Sequence, residues 1–144
     1  MNRNKMKNKL ILIIVCFTLF SCKTYTVSPE SFKEQFVNIN YDLSTSISIS
    51  GSIHYNGYQI KKINVIDKNG KTQTLDNVPS LEMRVTLNNG ERKHFYFDSV
   101  KLQNDTLTGH KSRFLPKMIT KVPFSNIVKI EIQESGKNIE YRNK

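Results

Sequence analysis

The chain has 144 residues, with 22 Lys and Arg against 12 Asp and Glu, two cysteines, three histidines and neither Ala nor Trp. This length suits one domain with one modest core, which argues against a multidomain architecture. The absence of Ala removes the best helix former and turns the expectation towards strands.

In chain order, Arg3, Lys5, Lys7 and Lys9 precede an apolar run from Leu10 to Phe20. A basic stretch followed by an apolar one is the pattern of an export signal. The 11 residues of the run fall well short of the roughly 20 that a helix needs to cross a bilayer. At its end, Leu19-Phe20-Ser21-Cys22 resembles the lipobox of bacterial lipoproteins. It has an aliphatic residue three places before the cut, a small residue just before it, and then a cysteine. The resemblance implies that residues 1–21 are a signal peptide removed by lipoprotein signal peptidase. It also implies that Cys22 carries a diacylglycerol on its thiol and an acyl group, such as palmitate, on its new amino group. More than one acyl chain gives stable membrane attachment, where a single chain is marginal.

On that reading Cys16 leaves with the signal and Cys22 is consumed by lipid, so the mature domain has no thiol for a disulfide, a thiolate metal site or a nucleophile. Its charge falls to 18 Lys and Arg against 12 Asp and Glu once the four signal cations are removed. A nucleic-acid partner is not expected for an exported protein. The relevant anions are lipid head groups and lipopolysaccharide phosphates, but a solvated cationic surface that keeps the protein soluble is the favoured account of the charge. Lys23 is not the aspartate that retains many enterobacterial lipoproteins in the inner membrane, and no acidic run follows it. The resemblance therefore implies an outer membrane lipoprotein facing the periplasm.

Residues 22–40 are expected to form a lipid-anchored tether carrying one short helix. Ser28 can cap it, Pro29 suits its first position, Glu30 complements the positive end of the helix dipole, and Phe32 and Phe36 share a face. From residue 41 to residue 144 a β domain is expected, because the apolar period becomes two. Ile47, Ile49, Ile53 and Tyr55 alternate with serines, and Asn56-Gly57 supplies a hairpin turn into a strand through Ile60, Ile63 and Val65 with a bulge at Lys61-Lys62. Asn69-Gly70 turns the chain into a short strand from Lys71 to Leu75. Leu81, Met83, Val85 and Leu87 make the cleanest strand, and Asn88-Asn89-Gly90 leads to a return strand with Phe95 and Phe97. The apolar parity switches at Asp98-Ser99, which predicts a bend or bulge. Asn104-Asp105 turns into Thr106 to Gly109, and a loop or ragged pair covers His110 to Thr120. After a tight turn over Val122 to Asn126, Val128, Ile130 and Ile132 form the inward face of a last strand.

Such short strands separated by turns predict a mainly β fold, an antiparallel meander closed into a small barrel or folded into a two-sheet sandwich. The sequence from residue 85 to residue 132 resembles a pattern found in small β-rich envelope lipoproteins of Bacteroidota. It is carried by Val85-Thr86-Leu87, Asn89-Gly90, Phe95, Phe97, Val100, Asp105, Leu107, Gly109, Val122-Pro123, Ile127 and Ile130 to Ile132. The resemblance implies an SH3-like or Sm-like barrel and no particular chemistry.

Catalytic and metal-ligating patterns are poor, and no cofactor is expected. His54, His94 and His110 lack zinc-protease spacing, and there is no Gly-rich phosphate loop. His94, Tyr96 and Asp98 share a strand face by parity, but four residues of regular strand span about 13 Å, too far for His94 and Asp98 to hold one ion. They are expected to face solvent. The favoured function is thus a non-catalytic binding or structural module of the cell envelope, with a hydrolase of unrecognised site as the alternative. A candidate binding loop contains Lys111, Arg113, Phe114, Lys117 and Lys121, where cations beside Leu115, Met118 and Ile119 suit an anionic envelope component or a protein partner. The favoured reading of the same segment instead buries Phe114, Leu115 and Ile119 in a bent core strand and leaves the cations solvated. Asp98-Ser99-Val100 and Asp105-Thr106-Leu107 resemble the O-glycosylation signal of Bacteroidota, which makes Ser99 and Thr106 candidate modification sites, although turn chemistry explains both triplets equally well.

Overall fold

The computed structural model describes residues 23–37, 60–112, 115 and 118–135. The signal segment, Cys22, the expected Ile47 to Tyr55 strand and the Asn56-Gly57 turn lie outside the described residues, as do Arg113, Phe114 and Lys117.

The described fold is mainly β, antiparallel throughout, with one short helix. Strand β1 (Thr24–Val27) leads directly into helix α1 (Pro29–Gln35), which is followed by β2 (Lys62–Ile66), β3 (Thr72–Asp76), β4 (Leu81–Leu87) and β5 (Arg92–Tyr96). A single 3-10 turn, Phe97–Ser99, precedes β6 (Lys101–Gln103), β7 (Thr106–His110) and β8 (Ile119–Pro123). A second such turn, Phe124–Asn126, leads into β9 (Ile127–Glu134). The strands form a six-stranded sheet in the order β3-β2-β1-β9-β4-β5 and a three-stranded sheet in the order β6-β7-β8. No helix among the described residues is long and apolar enough to cross a membrane.

The first strand revises the expected tether. Thr24–Val27 sits inside the sheet, pairing with β9 from Thr24↔Gln133 to Val27↔Ile130 and touching β2 at Thr26↔Ile66. Tyr25 and Val27 turn inward while Thr26 faces out, a period of two that four β-prone residues are just long enough to show. The helix begins as its sequence predicts. Ser28 Oγ accepts from the Ser31 amide at 3.2 Å, and Pro29 opens the first turn. Phe32 and Phe36 stack with ring centroids 4.3 Å apart, and Phe32 also lies 5.9 Å from the ring of Phe124. Lys33 lies above the same Phe124 ring and pairs with Asp105 at 2.8 Å, so the helix is held against the β6–β7 turn.

The hairpins follow their turn chemistry. Gly70 and Gly90 take φ of +77° and +82°, conformations that a Cβ would strain. Asn104 and Asp105 both have positive φ, which gives the β6–β7 hairpin a two-residue turn of the primed type. The segment from His110 to Thr120, expected as a loop or ragged pair, connects β7 to β8, and their regular pairing from Thr106↔Pro123 to His110↔Ile119 takes in His110, Ile119 and Thr120 at its ends. The apolar faces of both sheets and α1 meet in one core. In β4, Leu81, Met83, Val85 and Leu87 point into it, and in β9 so do Ile127, Ile130 and Ile132.

Two parity expectations are corrected. Val128 was expected inside but is 57% exposed. Leu87 pairs with Ile127 while Thr86 pairs with Lys129, so Val128 is an extra residue at a bulge and turns outward. Asp98 was expected in solvent on the face of His94 but is fully buried, because the chain leaves the strand after Tyr96 and the 3-10 turn rotates Asp98 and Ser99 inward. The bend itself is where the parity switch predicts it.

Candidate functional site

A polar cleft lies at the β1 entry end of the large sheet. Antiparallel pairing of β1 with β2 brings the β2–β3 turn alongside the residues that open β1. There Lys23, Thr24, Tyr25, Asp67, Lys68, Asn69 and Gln73 line a cleft of about 460 Å³. That size is at the lower end of the range for small-ligand sites.

Asp67 organises the wall of this cleft. Its Oδ1 accepts from the Asn69 amide at 2.8 Å and the Lys71 amide at 2.9 Å, and its Oδ2 accepts from Gln73 Nε2 at 3.4 Å. The Asp67 amide also donates to the Lys71 carbonyl at 2.9 Å, closing the turn. The Lys71 amide bond is the main reason that the carboxyl titrates below its ordinary range. The carboxylate is thereby committed to the turn, and Lys23 and Lys68 are the cations on the cleft lining. Neither lysine stands out locally. The site exists because topology joins residues more than forty positions apart, and no spacing rule reports that.

A second polar region crosses the outer face of the same sheet. Arg84 Nε donates to Glu131 Oε2 at 2.9 Å, and Lys129 Nζ donates to Glu131 Oε1 at 3.0 Å. The Arg84 guanidinium, helped by Lys129, lowers the Glu131 pKa to about 2. His94 pairs across the strands with Arg84 and is exposed. This region is a charged sheet surface with its ion pairs satisfied. Among the described residues, no group of three or more His, Cys, Asp or Glu side chains is placed to hold a metal ion.

The sequence candidates are scattered. Cys22, Arg113, Phe114 and Lys117 lie outside the described residues, while Lys111 and Lys121 are exposed at the β7–β8 end. Leu115, Met118 and Ile119 are exposed too, Ile119 to 52%, which corrects the core-strand reading for Leu115 and Ile119. Ile119 opens β8, an outer strand of the small sheet, where alternation leaves it facing out.

Ser99 is 3% exposed. Its hydroxyl donates to the Tyr96 carbonyl at 2.7 Å and accepts from the His110 amide at 2.9 Å. In the folded domain the Ser99 side chain is therefore held within the turn by its burial and both of these bonds. Thr106 is half-buried at the start of β7, and its hydroxyl faces the Asn104 carbonyl at 3.4 Å. Comparison with protein-family models, curated proteins and solved structures finds no match.

Proposed function

We propose that this protein is a lipid-anchored component of the bacterial cell envelope, exported by residues 1–21 and attached through Cys22, with a non-catalytic β module that binds or supports another envelope component. The single observation that carries this reading is Leu19-Phe20-Ser21-Cys22 at the end of a short apolar run. Its place in the chain fits, since the described fold opens directly after the lipid-bearing position. An outer membrane location facing the periplasm follows from Lys23 and from the lack of an acidic run behind the cysteine.

The finer fold reading is a rolled meander of the SH3-like or Sm-like kind. It is supported by the pairing of the first described strand with the last, by the 3-10 turn before β9, and by the close approach of β5 to β7 at Phe95 and Gly109. A rigid β scaffold of this kind offers its turns and sheet ends as binding surfaces.

Metabolic labelling with a fatty acid tests the central claim. The wild-type chain takes up label and loses its first 21 residues, and Cys22→Ser gives an unlabelled, uncut precursor. Label retained in the Cys22→Ser protein overturns the assignment.

A further inference from the structure

We infer that the β1 entry end of the sheet lies on the membrane that carries the anchor, with the cleft between Lys23 and the β2–β3 turn taking the phosphate of an anionic phospholipid. The inference rests on the lipid attachment proposed above.

Chain length gives the first reason. Only Lys23 separates Cys22 from β1, and at about 3.3–3.6 Å per residue the first strand starts within about 7 Å of the lipid-bearing residue. The head-group layer is itself about 5–7 Å deep on each side of the hydrocarbon. An anchor with so little slack holds this end of the sheet against the head groups, whereas a long tether would leave orientation free.

Register gives the second. Thr26 pairs with Ile66, so the chain continues from Ile66 through Asp67, Lys68 and Asn69 back along β1 towards Lys23. The residues facing the membrane are then those of the cleft. Lys23, Lys68 and Lys71 are all exposed, and Asp67, the only acid on the lining, is bonded to two amides of its own turn and to Gln73. Exposed Glu134 lies opposite Lys23 in the register of β1 with β9, but the three lysines outnumber it, so the exposed charge around the cleft is net positive, and the lining also offers the polar side chains of Thr24 and Asn69. A phosphate diester supplies the matching negative charge and acceptor oxygens. Within a Debye length of an anionic surface, each such lysine contributes about fivefold to association.

Site-directed spin labelling of the full mature lipoprotein in vesicles tests this. The mature chain has no thiol besides the lipid-bearing Cys22, so Asn69→Cys at the β2–β3 turn or Ser125→Cys before β9 gives a unique label. These positions lie towards opposite ends of the large sheet, separated by about 20 Å of strand. The probe is a nickel-chelating lipid in vesicles of phosphatidylcholine, with or without 30% phosphatidylglycerol. The expected result is strong broadening at Asn69→Cys and little at Ser125→Cys when phosphatidylglycerol is present, with Lys68→Gln/Lys71→Gln lowering the docked-to-free ratio roughly twentyfold. Equal broadening at the two positions overturns the inference, as does broadening at Asn69→Cys that ignores both phosphatidylglycerol and the lysines. An intact mass without acyl chains overturns the lipid attachment itself, and so separates failure of that reading from failure of this one.

Discussion

Gln35 and Asn64 exchange two hydrogen bonds. The Asn64 amide donates to Gln35 Oε1 at 2.6 Å, and Gln35 Nε2 donates to the Asn64 carbonyl at 3.1 Å. This carboxamide stands in for a strand. β1 reaches β2 only at Thr26↔Ile66, so beyond that point the backbone of β2 needs another partner, and the last residue of α1 supplies it. Gln35→Ala should lower stability by about 1 kcal/mol in urea denaturation, because water can replace part of what is lost. Hydrogen exchange at the Asn64 amide should accelerate in the same variant. An unchanged Asn64 rate would show that the carboxamide does not close the sheet.

Gly109 meets Phe95 in a different way. A Cβ on Gly109 would lie 2.6 Å from Phe95 Cδ1, far inside normal contact, although the backbone there does not require glycine for its φ. Gly109→Ala should therefore destabilise by about 1–3 kcal/mol through overpacking. Combining it with Phe95→Leu should cost less than the sum of the two single changes, since the smaller side chain gives room. Strict additivity in that cycle would mean that β5 and β7 do not touch here in solution.

Glu131 links the large sheet to pH. Its folded pKa of about 2 lies below the ordinary value of 4.5, so the stabilisation from its ion pairs is present above pH 4.5 and is lost as pH falls towards 2. The linked loss is on the order of 2–3 kcal/mol across that window. Glu131→Gln should flatten the pH dependence of the melting temperature between pH 5 and about 2.5 while lowering the plateau near pH 7. An acid limb identical to that of the wild type would assign the dependence to other carboxyls.

Ser99 should behave as a structural residue. Ser99→Ala removes the acceptor of the part-buried His110 amide and should lower stability by about 1 kcal/mol. The intact mass of the native protein should carry no glycan at this position. A glycan on Ser99 in the native protein would contradict the burial that the turn imposes.

The exposed residues near β8 should tolerate change. Leu115→Ser and Ile119→Ser should alter stability by no more than about 0.5 kcal/mol, as surface changes usually do. A drop of 2 kcal/mol or more at Ile119 would return that residue to the core.

Much of the β pattern was legible because period and turn chemistry agreed. β4 alternates across all seven of its residues, and Asn69-Gly70, Asn89-Gly90 and Asn104-Asp105 mark hairpins by residue types that accept positive φ. The cap of α1 was equally plain at Ser28-Pro29. What escaped had a physical reason in each case. β1 offers only two inward residues, Tyr25 and Val27, before the helix signal begins. Val128 was inverted by a bulge that shows only in the register with Thr86 and Leu87, and Asp98 was rotated inward by a turn that ends the strand period. The cleft at Lys23 was not legible, since its two walls meet through pairing that no local pattern encodes.

The union of β1 with β9 also sets a clock on folding. Thr24 cannot find Gln133 until more than a hundred further residues are available, so the centre of the large sheet is closed by one of the latest partners to arrive. Pairings of such long range form slowly, because loop closure must precede any reward from contact. For a chain that crosses a membrane as proposed above, this ordering is protective. The half of the domain that emerges first lacks the strand that would complete its sheet, and the chain remains threadable until its end has passed through.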